Sequence, residues 1–558
     1  MQSLKAEVHG AKQHSMRRVI VSAALGTLFE WYDFYLYGTL ATVFSAKFFS
    51  GVSETAAFIY ALLAFGIGFA ARPVGALVFG RLGDMLGRKH TFLITMTLMG
   101  ASTLAVGLLP TYAAVGSLAP ILLVSLRVLQ GIGIGGEYGG AAIFVAEHSP
   151  RRRRGSMTSW IQLVGGVGML MALAVVFLCR RFFGASFDAW GWRVPFLLSG
   201  ILLAISIYVR LSVSESPLFL KMKAQGKTSK APIRETLTQW RNLKAALLAV
   251  FGLVGGVTVV TYTALIYLLF FLTRSLRLDE TLATHYVLVI MACAMPLYFG
   301  AGVLSDWVGR KPLILGACLI SALTIFPTFR AITHAANPAL EAARTLHPVT
   351  VIADQSTCAV QFDLLGRERI ASDCDRAKQL LAKGGIPYTN EAAASGAATT
   401  VKVGDVAFSG ADLAGLRKGL NAGGYRDKAD PAQIDKPVLW GLIFFLFVLA
   451  ATTYGPLAAA LVDLFPARIR YTALSFPYQL AAGLIGGFFP TVSFAIVART
   501  GDIYSGLWYP AFFSMLTAIV GFLFLPSGQV EDEALDSDSA SAIATDEASS
   551  AAQVTRGA

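Results

Sequence analysis

The strongest constraint on this chain is a series of apolar runs, each long enough to cross a bilayer. A helix of about 20 apolar residues spans roughly 30 Å of hydrocarbon. Hydrophobic residues make up 55% of the chain and charged residues 14%, which is too apolar for a soluble domain. The sequence therefore predicts an all-α membrane protein. Its twelve predicted transmembrane helices cover approximately residues 19–46, 55–80, 91–110, 117–147, 156–179, 193–213, 243–272, 281–305, 311–331, 437–464, 471–498 and 507–526.

The distribution of Lys and Arg predicts how these spans are oriented. The N-terminal tail and the short loops after even-numbered spans hold 22 of these residues, and the short loops on the other side hold 7. Because cytoplasmic loops carry the excess of positive charge, both termini are expected in the cytoplasm. The membrane is expected to be a bacterial inner membrane. The net charge of +12 then requires no nucleic-acid partner, since the basic residues lie near lipid head groups.

Two pairs of short motifs reveal an internal repeat. GRLGDMLGRK at 80–89 matches GVLSDWVGRK at 302–311 with an offset of 222, and SPRRRRGSMTS at 149–159 matches FPARIRYTALS at 465–475 with an offset of 316. The chain is therefore predicted to contain two parallel six-helix repeats, with about 94 extra residues in the second one. Repeats of this kind place a substrate site at the bilayer midplane and give alternating access by rocking.

The repeat divides the chain into segments. These are a cytoplasmic tail at 1–18, an N-terminal six-helix bundle at 19–213, a cytoplasmic linker at 214–242, a C-terminal bundle at 243–331 and 436–526, a periplasmic insert at 332–435, and an acidic cytoplasmic tail at 527–558. The last segment is rich in Ala and Ser without a heptad pattern, and it is expected to be disordered.

The insert is predicted to be a small periplasmic α/β module. Its pattern predicts a strand-rich run at 349–363, a helix at 374–385, a strand at 399–409 and a helix at 411–424. Cys358 and Cys374 are the only cysteines outside the predicted spans, and in an oxidising periplasm a disulfide is favoured over a metal site. We favour a tolerated loop elaboration, with a substrate-capturing lid or a docking module for a periplasmic partner as alternatives.

Five ionisable residues inside the spans are candidates for function, because a charge in hydrocarbon is costly. They are Glu30, Asp33, Arg72, Arg127 and Glu137. Glu30 and Asp33 share one helical face that can point towards the two arginines. Three acids facing two bases would leave one negative charge unpaired, so one carboxylate is expected to take up a proton. Glu30, Asp33 and Glu137 are therefore predicted to couple transport to protons, with a static structural network as the alternative.

The predicted substrate site combines these arginines with neutral polar groups. Arg72 and Arg127 can each present a bidentate fork to a carboxylate. Tyr37 lies one turn beyond Asp33, on the face that can point towards the arginines. The neutral candidates on other predicted spans, for each of which packing is the alternative role, are Gln162, Tyr262 and Tyr454. No metal or cofactor is expected.

The repeated motif GxxxDxxGRK predicts a cytoplasmic gate. Its first glycine allows a close helix approach or a sharp exit from the helix, and its aspartate can cap a facing helix or pair with an arginine. Such contacts could break and re-form as the halves rock, whereas a purely topological anchor is the alternative. The predicted gate residues are Gly80, Asp84, Arg88, Gly302, Asp306, Arg310, Glu147 and Asp463.

Five stretches together carry a family resemblance: EWYDFYLYG at 30–38, RPVGALVFGRLGDMLGRK at 72–89, RVLQGIGIGGEYGGAAIFVAE at 127–147, GVLSDWVGRK at 302–311 and YGPLAAALVDLFPARIRYTALSFPYQLAAGLIGG at 454–487. They resemble major facilitator superfamily transporters, and among these the metabolite:proton symporter family. The resemblance implies proton symport of small organic acids or zwitterions such as proline or betaine. The charged positions that match the family motifs are Glu30, Asp33, Arg72, Arg127, Glu137 and Glu147.

The chain departs from that family at three places. Asp463 stands where Glu is common, and Ala473 stands where Gly is usual. The insert replaces a short loop, which makes it unsafe to transfer a relative's substrate to this chain.

The sequence thus predicts a proton-coupled symporter that imports a small organic acid by alternating access. Its expected partners are the solute, protons and the lipid bilayer. The alternatives are a zwitterion symporter, a periplasmic sensor or docking protein built on a transporter body, and an uncoupled facilitator. An enzyme is not expected, because no nucleophile, metal cluster or phosphate loop is visible outside the membrane.

Overall fold

The computed structural model describes residues 16–50, 54–354, 358 and 372–526. The predicted acidic tail at 527–558 lies outside the described residues. The helices are α1 (Met16–Thr39), α2 (Ala41–Phe48), α3 (Glu54–Met85), α4 (Arg88–Leu108), α5 (Tyr112–Val115), α6 (Leu118–His148), α7 (Arg154–Phe183), α8 (Ser186–Ala189), α9 (Val194–Leu211), α10 (Pro217–Ala224), α11 (Pro232–Thr238), α12 (Trp240–Ser275, with π-helical turns), α13 (Glu280–Val308), α14 (Arg310–Ala336), α15 (Pro338–Leu346), α16 (Asp373–Lys383), α17 (Leu413–Ala422), α18 (Lys436–Tyr454), α19 (Leu457–Leu464), α20 (Arg470–Leu480), α21 (Gly487–Thr500) and α22 (Trp508–Phe524).

Ten helical segments of the described chain are long and apolar enough to cross a membrane. They begin at α4 and end at α22, and α18 with α19 and α20 with α21 each form one segment. Helices α1 and α3 occupy the first two predicted spans. The chain is therefore a mostly helical, multi-pass membrane protein, and the count of twelve spans stays a prediction.

Glycines bring α3 and α6 into backbone contact. A Cβ atom on Gly75 would lie 2.0 Å from the carbonyl oxygen of Ile132, and one on Gly135 would lie 2.2 Å from that of Arg72. Small residues allow this approach between membrane helices. The contact matters for function because α3 carries Arg72 and α6 carries Arg127 and Glu137.

Replacing Gly135 by Ala is expected to lower the free energy of unfolding by about 1–3 kcal/mol, the usual cost of overpacking. The added methyl group has only backbone to displace. Thermal unfolding of the purified protein in detergent measures the effect. Gly316→Ala in α14 is the matched control, because a Cβ there meets nothing within 4 Å. Equal melting temperatures for the two variants would contradict the packing argument.

The insert is an α/β unit built on a four-stranded sheet. Strands β1 (Val349–Ala353), β2 (Thr389–Ala392), β3 (Thr400–Val403) and β4 (Val406–Ser409) are arranged in the order β2-β1-β3-β4. β1 and β2 are parallel, with Thr350 opposite Thr389, and the other two pairs are antiparallel. Helices α15, α16 and α17 complete the unit.

The structure differs from the sequence prediction in three places in and next to the insert. The single strand predicted at 399–409 is a hairpin, because Gly404 adopts a φ of 58° and lets the chain turn between Val403 and Val406. β2 was not predicted, since its mostly exposed TNEA sequence lacks apolar alternation. Helix α14 continues to Ala336, beyond the predicted boundary at 331, until Asn337 caps the next helix.

The insert packs against the end of the C-terminal bundle. The backbone N–H of Tyr388 donates to the carbonyl of Gly501 at 3.0 Å, and that of Ala429 donates to Arg277 at 3.0 Å. Apolar residues of the sheet and of the bundle share one core. Cys358 and Cys374 are joined by a disulfide. Helix α13 begins beside the insert and ends in the repeated motif, so we call the two ends of the bundle the insert end and the motif end.

Candidate functional site

Two buried ion pairs connect α1 to the neighbouring helices. Oε1 of Glu30 lies 3.6 Å from Nη1 of Arg72 on α3, and Oδ2 of Asp33 lies 3.4 Å from Nη1 of Arg127 on α6. Glu30 and Asp33 are one helical turn apart, so each selects a different arginine. The two acids of α1 and the two arginines, which the sequence predicted to meet, are therefore adjacent in the structure.

Arg127 and Asp33 are held by further groups. The Arg127 guanidinium lies 3.8 Å from the centre of the Tyr37 ring, and the Tyr37 hydroxyl donates to the carbonyl of Ala61 at 2.9 Å. Nε2 of Gln130 donates to Asp33 at 3.1 Å and to Thr103 at 2.9 Å. Gln130 was not among the predicted residues, although it lies one turn from Arg127 inside an apolar span.

Glu137 differs from the other two acids of the site. It is fully buried, and neither carboxylate oxygen has a hydrogen-bond partner among the described residues. Oε1 lies against Gly26 of α1, where a Cβ atom would approach it to 2.5 Å. An isolated buried carboxylate is costly as an anion and tends to become neutral. Of the three predicted proton-coupling residues, Glu137 therefore has the environment that most favours a protonated acid.

Another buried charge close to these residues, Arg210, was not predicted. It is 0% exposed near the end of α9, it donates to the Ser22 hydroxyl at 3.1 Å, and its guanidinium stacks on Phe92 and Phe144. Phe92 also lies against Gly26, so one ring separates Arg210 from the Glu137 region. Counting Arg210, three acids meet three arginines. The case for a protonated acid thus rests on the local isolation of Glu137 rather than on a surplus of negative charge.

The neutral residues predicted for the substrate site are only partly brought together. Nε2 of Gln162 donates to the Tyr138 hydroxyl at 2.9 Å, the Tyr138 ring stacks on Tyr478 at 3.8 Å, and the hydroxyls of Tyr478 and Tyr454 are 2.6 Å apart. These contacts connect the two halves. Tyr138 and Tyr478 were missed, although both lie in motifs that the sequence singles out.

Two small cavities lie on either side of α1. One, of about 30 Å³, is lined by Trp31, Gln162, Gly166, Met169, Thr261, Leu265, Met291, Met295, Tyr298 and Tyr454. The other, of about 20 Å³, is lined by Asp33, Phe34, Gly68, Phe69, Arg72, Arg127, Gln130, Gly131 and Ile134. The first is neutral and rich in aromatic and methionine side chains, whereas the second is charged. Tyr262 lines neither cavity, because its ring packs against Gly486.

At the motif end, the N-terminal half holds the C-terminal half through Asp84. Its carboxylate accepts hydrogen bonds from the backbone N–H groups of Tyr471 and Thr472 at 3.0 and 2.9 Å, so it caps the start of α20. Asp84 also pairs with Arg88 at 2.7 Å. The Arg88 guanidinium donates to the carbonyl of Ala467 at 2.8 Å. We call this set of contacts the Asp84 latch.

The second half makes the corresponding contacts in the opposite direction. Asp306 accepts from the backbone N–H groups of Gly155 and Ser156, both at 2.8 Å, and so caps the start of α7. Arg310 lies 3.8 Å from Asp306 and pairs with Asp463. We call this set the Asp306 latch.

Each latch is completed by one more acid and arginine. Glu147 lies 3.3 Å from Arg470 and 3.9 Å from Arg88, while Asp463 lies 3.1 Å from Arg154. These partners occupy equivalent positions, since Glu147 with Asp463 and Arg154 with Arg470 are each separated by the 316-residue offset. The repeat in the sequence therefore corresponds to a pseudo-symmetric pair of latches that join the two halves at the motif end.

The glycines of the repeated motif serve close approach, not a helix exit. A Cβ on Gly80 would lie 2.7 Å from Cα of Thr472, and one on Gly302 would lie 2.6 Å from Cβ of Ser159. The sharp exits are made by Gly87 and Gly309, whose φ values are 126° and 98°.

Comparisons with known proteins identify the fold and the family. Residues 19–238 match the family described as Sugar (and other) transporter. The glycine betaine/proline/ectoine/pipecolic acid transporter OusA of Dickeya dadantii is 30% identical over 522 residues, covering 91% of this chain and 82% of that protein. The chain belongs to the major facilitator superfamily. It is thus a transporter, as the motif resemblance predicted, and not an enzyme.

Two further similarities agree with this assignment. The proline/betaine transporter of Salmonella typhimurium is 38% identical over 329 residues, which are 56% of this chain and 64% of that one. The structure of the proton:xylose symporter XylE bound to 6-bromo-6-deoxy-D-glucose aligns with a TM-score of 0.58 and 16% identity, covering 93% of this chain and 98% of that one. The latter similarity concerns the transporter fold alone.

Proposed function

We propose that this transporter imports a small zwitterionic solute, such as proline or a betaine, together with protons across the bacterial inner membrane. The observation that carries the solute class is the contrast between the side chains on the two sides of α1, where the present cavities hold only about one or two water molecules each. Trp31 contributes to the neutral aromatic cavity, and Asp33, two residues further, contributes to the charged one. A zwitterion has one group for each: a carboxylate for the arginines and a cationic nitrogen for the aromatic faces.

This proposal replaces the organic acid that the sequence favoured. The arginines would accept the carboxylate of either kind of solute. An anion without a cationic group, however, gives the neutral cavity with Trp31, Tyr298 and Tyr454 no electrostatic role. The relatives named for betaine and proline agree with the zwitterion.

The proposed coupling step is a competition for the arginines. The solute carboxylate replaces Glu30 at Arg72 or Asp33 at Arg127, because the guanidinium forks can serve only a limited number of oxygens at once. Glu137, buried without a partner, carries the proton that accompanies the solute. Release of both then restores the ion pairs of α1.

The two latches form the proposed cytoplasmic gate. In this structure the latches join the two halves at the motif end, and the cavities beside α1 are small. Opening inward requires α20 to leave Asp84 and α7 to leave Asp306, so the halves can rock apart. The termini are placed in the cytoplasm and the insert in the periplasm on the charge distribution of the loops.

Uptake into proteoliposomes tests this proposal. With an inward proton gradient, radiolabelled proline or glycine betaine is expected to accumulate above equilibrium, and unlabelled betaine but not succinate should compete. Succinate accumulation without zwitterion accumulation would restore the organic-acid prediction. Equilibration without accumulation would identify an uncoupled facilitator.

A further inference from the structure

A large cavity lies at the insert end, away from the proposed solute site. Its volume is about 950 Å³, a size suited to a drug-sized ligand. One wall is formed by the end of α12 and the loop to α13, and the other by α16, α17 and the adjoining loops of the insert. Neither the solute site nor the latches account for a cavity at this place.

Positive charge dominates the lining of this cavity. Its charged residues are Arg274, Arg277, Arg376, Arg417, Lys428, Asp279, Glu280 and Asp427. Arg376 pairs with Asp373, and Lys428 pairs with Asp279 at 3.1 Å. Arg274 and Arg417 are exposed and have no ion pair within the described part of the chain. The cavity therefore offers uncompensated positive charge to an anion.

Arg277 gives the cavity a buried cation on a strained backbone. Its side chain donates to the carbonyl of Arg426, but its Nε atom is buried without a partner among the described residues. Among those residues it is also the one non-glycine with positive φ, at 60°, a conformation that usually needs a compensating reason. Burial lowers the pKa of Arg277, and the nearby Asp427 carboxylate raises it again in part. An anion in the cavity would offset the remaining cost of burying this charge.

The uncharged lining is mixed, and its apolar residues continue to the membrane-spanning part of the bundle. Leu269 and Phe270 belong to the last turns of α12, a helix able to cross a membrane, and Phe270 is 42% exposed. Ile386 and Leu413 face the cavity from the insert. A ligand that fills it therefore combines an anionic group with an apolar body.

We propose that this cavity binds a phosphate group carried on an apolar body, as in the head group and upper chain of an anionic phospholipid. Phosphate presents several oxygens to the planar forks of arginine. The apolar part would lie along Leu269 and Phe270. A bound lipid would thereby hold the insert against the end of α12. A soluble phosphate ester is the other source of the same anionic chemistry.

Native mass spectrometry of the full-length protein in detergent tests the proposal with three probes: phosphatidylglycerol, phosphatidylcholine and glycerol phosphate. We expect phosphatidylglycerol to be retained in preference to phosphatidylcholine. Arg274→Gln and Arg417→Gln should each lower retention roughly tenfold, the usual effect of losing one charge-assisted hydrogen bond. Lys418→Gln, beside Arg417 on α17, and Arg499→Gln, at the same end of the bundle, are matched controls because both are exposed and line no part of the cavity.

The outcomes separate the two sources of phosphate. Retention of glycerol phosphate that depends on Arg274 and Arg417, without a preference for phosphatidylglycerol, would support the phosphate site and assign it a soluble ligand. Retention that neither cavity variant lowers, or that the controls lower equally, would overturn the proposal. Solute uptake is not the readout, so failure of the zwitterion proposal leaves this test unaffected.

Discussion

Glu137→Gln is expected to abolish proton-driven accumulation while leaving solute exchange intact. Glutamine mimics the protonated acid in size, so a permanently neutral side chain at this buried position can still bind and move the solute but cannot release a proton. With one proton per solute and a gradient of about two pH units, the wild type can accumulate solute about 100-fold, since each pH unit is tenfold. The variant should reach an accumulation ratio of about one. Proteoliposome uptake and counterflow measure the two properties separately.

Two comparisons control this experiment. Glu391→Gln on exposed β2 makes the same chemical change outside the membrane and should accumulate solute like the wild type. Glu30→Gln should instead tighten solute binding, because it removes the carboxylate that competes with the solute for Arg72. If Glu137→Gln still accumulates solute against its gradient, the proton resides elsewhere, and Glu30 and Asp33 become the remaining candidates.

The sequence was sufficient for the parts of the fold that follow from local patterns. The apolar runs located the long helices, because a span needs a continuous run of apolar side chains. The offsets of 222 and 316 paired Asp84 with Asp306 and Glu147 with Asp463, and these residues occupy equivalent latches. The insert was harder to predict. The hairpin of β3 and β4 has a turn of only two residues. Strand β2 depends on pairing with β1 rather than on an apolar pattern of its own.

The sequence predicted the site residues that are charged and lie in apolar runs. It did not predict most of the neutral residues that contact them. Asp33 and Arg127 were found because ionisable residues are costly in hydrocarbon. Gln130 connects Asp33 to Thr103, yet a lone glutamine in a span gives a weaker signal. Arg210 lies near the end of its predicted span, where an arginine normally reaches the lipid head groups. Only the fold reveals that Phe92 and Phe144 enclose it.

Asp84→Asn is expected to open the motif end more than Asp306→Asn. Both aspartates cap a helix of the other half with two backbone hydrogen bonds of similar length. They differ in the ion pair: Arg88 lies 2.7 Å from Asp84, whereas Arg310 lies 3.8 Å from Asp306. The Asp84–Arg88 pair is also less exposed to solvent: its side chains are at most 1% exposed, whereas those of Asp306 and Arg310 are 5% and 14% exposed. Breaking a buried ion pair costs about 3–5 kcal/mol, which corresponds to a shift of roughly 100-fold or more in the closed population.

Distance measurements between spin labels across the motif end test this difference. Labels at Met85 in the first half and Trp307 in the second suit the purpose because both side chains are exposed, and Cys293 is replaced because its thiol is exposed. We expect mainly the short distance in the parent protein, a dominant long distance in Asp84→Asn and a mixture in Asp306→Asn. Equal opening in the two variants would mean that the helix caps, which are alike, provide most of the closing energy. Greater opening in Asp306→Asn would show that the solvent exposure and the N–O distance of the ion pair do not set the strength of the latches.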